Sequence, residues 1–123
     1  MSTAQDTEQI PREAWHDALE LLTREHEGNE VTVEVLRDDI GDQEEATRLP
    51  LNNIEYDRKD DVVVVAVGGH TARYPVVFRH LIHHPDTIAV HPAAPAITRT
   101  ICVMDSDGLQ TLVTMHRLPE LPG

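Results

Sequence analysis

The sequence predicts an α+β domain in which an N-terminal helix covers a strongly bent antiparallel sheet of about five or six strands, either closed into a small barrel or open like a sandwich. Three stretches carry that prediction. Residues 62–67 are an unbroken apolar run, mostly β-branched, opened by Asp60-Asp61 and closed by Gly68-Gly69. So short a run reads as a central strand buried on both faces. Ala14, Trp15, Ala18, Leu19, Leu22 and His26 recur at three- and four-residue steps, the stripe of a helix that packs on one side. Asp107-Gly108, between strand-like residues 98–104 and 109–116, is a favoured pair for a two-residue hairpin turn.

Residues 1–9 are polar and acidic without periodicity, and are expected to form a flexible tail. Pro11 suits the first helical position, where its missing N–H is no loss. The helix runs to residue 27 with Trp15 as its core anchor, and Gly28 supplies the left-handed φ of a helix stop. From Glu30 the period becomes two: Val31, Val33 and Val35 alternate with Glu30, Thr32 and Glu34, a strand with one buried face. Residues 37–45 read as a solvated acidic loop, since the carboxylates lack the spacing of a helix–loop–helix calcium site. Residues 46–57 read as a strand whose apolar parity switches at Asn52-Asn53. That switch calls for a bulge or bend, and Pro50 requires an edge or a distorted segment. A charged turn at 57–60 makes this strand and the central one a hairpin.

Residues 74–84 admit two readings. As a helix, Pro75 starts it, Pro85 stops it, and Val76, Val77, His80, Leu81 and His84 share a face. As a strand, Tyr74, Val76 and Phe78 share one. The helical reading is preferred. Residues 87–91 then form a short strand and 91–95 an extended connection. In the last hairpin a two-residue turn sets Val103 opposite Leu112 and Cys102 opposite Val113. Residues 10–118 thus make a single domain, and residues 119–123 a C-terminal tail.

Ten Lys and Arg against 22 Asp and Glu give a formal net charge of −12. Such a charge repels phosphate backbones and anionic headgroups, so neither nucleic acid nor a membrane surface is an expected partner. No apolar run approaches the ~20 residues of a membrane span, and the polar N-terminus does not read as a signal peptide. A cytoplasmic location is expected, and the single Cys102 agrees with a reducing compartment.

Several strings occur in a characteristic order: Ile10-Pro11-Arg12-Glu13-Ala14-Trp15, His26-Glu27-Gly28, Val31-Thr32-Val33-Glu34-Val35, Asp39-Ile40-Gly41, Leu49-Pro50-Leu51, His80-Leu81 with His83, Asp107-Gly108, and Leu118-Pro119-Glu120. Together they resemble a family of small prokaryotic proteins catalogued only as a domain of unknown function, over nearly the whole chain. At Asn29-Glu30 the sequence departs from that pattern, where an aromatic and an aliphatic residue are expected. The resemblance implies one domain and a shared fold, and brings with it no activity, cofactor or catalytic residue.

The residues themselves offer few routes to chemistry. His80, His83, His84 and His91 fall close together in sequence. On a helix, His80 and His84 would project from adjacent turns and could share a divalent transition metal, with His91, His83 or Asp86 completing the set. On a strand they would stand about 13 Å apart. His70 follows Gly68-Gly69 at the end of the central strand, but no Gly-Lys-Ser/Thr follows to make a phosphate loop. Cys102 falls inside a predicted strand, where it reads as a small packed hydrophobe. No catalytic constellation emerges. The leading expectation is a non-enzymatic binding or scaffold module that self-associates as a homodimer through the central strand or an uncovered sheet edge. The alternatives are a metal-binding protein using His80, His84 and His91, and a barrel whose mouth, lined by His70, Tyr74 and Phe78, holds a small-molecule ligand.

Overall fold

A computed structural model describes residues 7–37, 41–69, 77–93 and 97–116. The elements in chain order are β1 (Glu8–Ile10), a 3-10 turn (Arg12–Ala14), α1 (Trp15–His26), β2 (Glu30–Arg37), β3 (Gly41–Asp57), β4 (Val62–Gly68), β5 (Val77–His83), β6 (Pro85–His91), β7 (Ile97–Asp105) and β8 (Gln110–His116). All strand pairs are antiparallel, in one sheet of order β1-β6-β7-β8-β2-β3-β4-β5.

This architecture overturns the α+β expectation. The chain is mostly an open eight-stranded antiparallel sheet with one short helix, not a helix-covered sheet of five or six strands, and the sheet does not close into a barrel. Two strands escaped the sequence reading. β1 is only three residues and carries no alternation, because an edge strand needs only its backbone to pair; Glu8 and Gln9, assigned to the tail, oppose Val90 and Ala89. β5 occupies the segment preferred as a helix. Its seven residues, Val77 to His83, oppose Gly68 back to Val62 without a break, so the apolar run on β4 supplies a non-local ladder that outweighs the proline punctuation.

β3 explains how so long a sheet buries its own face. The residues before Pro50 pair with β2, and those after it with β4. A register shift between Leu51 and Asn53 marks the bulge at the expected parity switch, and it bends the strand. The two halves then face each other. Val31, Val33, Ile88, Ile101, Val103, Val113 and Met115 from one half meet Ile54, Tyr56, Val63, Val65, Val67 and Ile82 from the other in one core.

α1 covers the part of β3 that β2 has left. Trp15, Leu19, Leu22 and His26 are its buried residues, as the stripe requires, and Trp15 meets Tyr56 edge-on at a centroid distance of 5.1 Å. Thr23 Oγ1 accepts a hydrogen bond from the Ile54 N–H and donates one to the Ile54 carbonyl, both at 2.9 Å. A side chain thereby stands in for the missing strand. Gly28 takes φ 89° and its N–H donates to the Leu51 carbonyl, which continues the same cover.

The β7–β8 hairpin forms as read, but its register differs by one residue: Cys102 opposes Leu112, and Val103 opposes Thr111. The turn is longer than two residues. Gly108 N–H donates to the Asp105 carbonyl while Asp105 N–H donates to the Leu109 carbonyl, and Gly108 takes φ 87°, the pattern of a type I turn followed by a glycine bulge. The shift is decisive for packing, because a one-residue slip would turn Thr111, Val113 and Met115 out of the core that now buries them.

Candidate functional site

The two edges of the sheet are built differently. β1 is very short and is followed by Pro11, both devices that blunt an edge. β5 is seven residues long, unbulged, and free of proline, lysine and carboxylates. Among the described strands it has a neighbour only in β4. Phe78 and Leu81, on this one strand, are two of the three large hydrophobic residues that stand exposed among the described residues, at 38% and 47%. Register with β4 places Phe78, His80 and Ile82 opposite Val67, Val65 and Val63 on the core face, and Arg79, Leu81 and His83 on the outer face.

β5 is anchored at one end by a polar clamp that the sequence did not reveal. β5 and β6 occupy distant places in the sheet order yet are joined by the single residue His84. The turn requires a left-handed backbone, with φ 55° at His84 and 53° at Asp61, a conformation unusual for residues other than glycine and tolerated best by Asn, Asp and His. His84 N–H donates to the Asp61 carbonyl at 2.9 Å. The Asp61 carboxylate accepts a 2.7 Å hydrogen bond from the Tyr56 hydroxyl, lies 3.3 Å from His84 Nδ1 and 3.7 Å from an Arg12 nitrogen. Arg12 also donates to the Pro85 carbonyl at 3.0 Å and lies over the Trp15 ring at 4.4 Å. The Tyr56 hydrogen bond, more than His84 and Arg12, holds the Asp61 carboxyl below its usual range despite some desolvation. Burial, together with the Asp61 charge, pushes the Tyr56 phenol up. The clamp's role is to fix the corner where β5 hands over to β6.

The histidines are dispersed. His80 lies on β5 with Nε2 3.5 Å from Thr111 Oγ1 across the core; His83 ends the strand; His84 belongs to the clamp; His91, at the end of β6, bonds Thr7 through Nδ1 at 2.7 Å. With β5 extended, the adjacent-turn geometry that would bring His80 and His84 to one metal does not arise. Among the described residues, the set of three donor side chains that lies within 4.8 Å of one another is His16, Asp17 and Glu20, all exposed. Of the expected ligand site only Phe78 falls among the described residues; His70 and Tyr74 lie outside them. Cys102 is half-buried in β7, as expected of a packed thiol, and burial pushes its pKa up.

Arg12 was missed because its partnerships join residues 44 and 73 positions apart; Tyr56 and Asp61 are only five apart, but meet only once the β3–β4 hairpin has closed. The available signal was Asp61 itself, a residue type that accepts left-handed φ placed at the mouth of a hairpin. No helix among the described residues is long and apolar enough to cross a membrane.

An uncharacterized protein of Aquifex aeolicus (strain VF5) is 34% identical over 116 residues, covering 94% of this chain and 97% of that protein. No solved structure matches the chain. The family of unknown function DUF5335 matches residues 6–123, in agreement with the resemblance of the quoted strings, and the chain belongs to that family.

Proposed function

We propose that the protein is a non-enzymatic module that pairs with a second copy of itself through β5. One observation carries this reading: the long edge strand lacks the usual guards against pairing and presents Phe78 and Leu81 to solvent. An antiparallel pair about a two-fold axis keeps each face of the sheet on its own side, so residues of like parity meet. With the axis at His80, Phe78 meets Ile82 of the second copy and Leu81 meets its Arg79. An axis at Arg79 would oppose two guanidiniums, and one at Leu81 would set Arg79 against His83. The His80 register keeps the two Arg79 side chains apart and pairs Phe78 with an apolar side chain. The absence of carboxylates on β5 also matters in a chain of net charge −12, because β5 is a surface where two copies approach without facing acid against acid. A cytoplasmic setting belongs to this reading, supported by a lone thiol that has no partner for a disulfide within the chain.

The test is the mass in solution. Sedimentation equilibrium at micromolar concentration should give twice the 13.8 kDa of one chain. Leu81→Lys places a charge on the outer face of the edge and should return the species to a monomer with its fold intact. A strict monomer for the native chain, or a dimer indifferent to Leu81→Lys, defeats the proposal.

A further inference from the structure

Away from β5, the 3-10 turn and α1 together present a second stripe beside the one that faces the core. Ala14, Ala18, Leu21 and Glu25 border a groove of about 670 Å3 closed by β1, the end of β6 and the start of β7. The stripe extends about 16 Å along the helix at 1.5 Å per residue. Small side chains at Ala14 and Ala18 open the space, Ile10 and Val90 floor it, and Leu21 stands at its rim, 52% exposed. The volume lies within the range of small-molecule sites.

Charge selects the class of molecule. Glu25 is engaged by Arg99 at 3.6 Å, and His91 by Thr7. Glu8 lines the same groove without an ion-pair partner among the described residues. An anionic ligand would meet Glu8 and would have to take Arg99 from Glu25. A cation meets Glu8 directly and is drawn by the field of the whole acidic chain. We propose that this groove binds a small lipophilic cation, its alkyl or aryl body against Ala14, Ala18 and Val90 and its ammonium at Glu8. The site is independent of pairing at β5.

The test titrates the full chain with decylammonium and decanoate below their micellar concentrations and with decanol below its solubility limit, following the methyl resonances of Ala14, Ala18, Leu21 and Val90 by NMR. Decylammonium should bind saturably with shifts centred on these methyls, and more tightly than decanol or decanoate. Glu8→Gln, an exposed change that leaves the fold alone, should weaken decylammonium about two- to fivefold, as for a partly exposed ion pair, without affecting decanol. Ala18→Trp should fill the groove and remove binding of both. Decanoate binding as tightly as decylammonium, shifts centred elsewhere, absence of saturable binding up to millimolar concentration, or indifference to Glu8→Gln each overturns the proposal.

Discussion

Replacing Tyr56 with Phe isolates the clamp from the core. The ring, 94% buried and edge-on to Trp15, keeps its packing, while the hydroxyl that donates 2.7 Å to Asp61 is lost. A hydrogen bond to a charged group contributes about 1.5–3 kcal/mol. The Asp61 side chain is 36% exposed, so water replaces part of what is lost, and the lower end, about 1.5 kcal/mol at pH 7, is expected. Arg12 loses an acceptor at 3.4 Å but keeps the Pro85 carbonyl. The sign with pH follows from Asp61, whose folded-state pKa is depressed chiefly by this hydroxyl. Such a group stabilises the fold above its unfolded pKa of about 4, and the contribution fades as pH falls through the depressed value. The penalty of Tyr56→Phe should therefore shrink as pH falls below the unfolded pKa toward the depressed one, and be smaller at pH 3 than at pH 7. Urea unfolding followed by the fluorescence of Trp15 measures both values. A penalty under about 0.5 kcal/mol at pH 7, or one as large at pH 3, would refute the clamp.

Three further substitutions test the backbone and the buried histidine. Gly28 and Gly69 both take positive φ, but a Cβ at Gly28 meets nothing within 4 Å whereas one at Gly69 would lie 2.5 Å from Val77 Cγ2. Gly28→Ala should cost about 1 kcal/mol and Gly69→Ala about 2–3 kcal/mol; equal costs in chemical denaturation would contradict the contact between the end of β4 and the start of β5. His26 is buried with no hydrogen-bond partner for Nε2 among the described residues, and desolvation first, then Arg99, lowers its pKa against the opposing pull of Glu25. Its neutral form is the stable one, so stability is complete above the unfolded pKa near 6.5 and declines as pH falls below it. His26→Leu should stabilise by about 1 kcal/mol at pH 7 and reduce the loss of melting temperature between pH 7 and pH 5; a steeper loss than in the native chain would count against it.

What the sequence disclosed was what local periodicity encodes. The α1 stripe, the alternation in β2, the β3–β4 hairpin and the bulge at Asn52-Asn53 each follow from residues within a few positions of one another. β5 did not, because Val77, Phe78, His80, Leu81 and Ile82 satisfy a helical face and a strand comparably well, and only the ladder with β4 decides between them. The hairpin register failed for a smaller reason. The Asp105 carboxylate accepts from both Asp107 N–H and Leu109 N–H, drawing a turn read as two residues into a longer one with Gly108 as the bulge. Of the candidate sites, Phe78 was found on an exposed surface, but the histidine cluster owed its coherence to a helix that the chain does not form.

The exposure of β5 is therefore a consequence of topology and not of slack packing. A strand that follows β4 by hairpin and must hand over to β6 through one residue has no freedom to move inward, because His84 and Asp61 hold that corner through their backbones and their side chains together. Nor can it pair with β6, which already lies between β1 and β7. The sheet can bury one face of β5, through Ile82 and His80, but among the described residues it has no strand of its own to offer the other edge. In the pairing proposed above, a second copy would supply one in the same antiparallel sense. Arg12, Tyr56 and Asp61 hold the corner at which β5 ends, so the pairing proposed above depends on the clamp as well as on the edge.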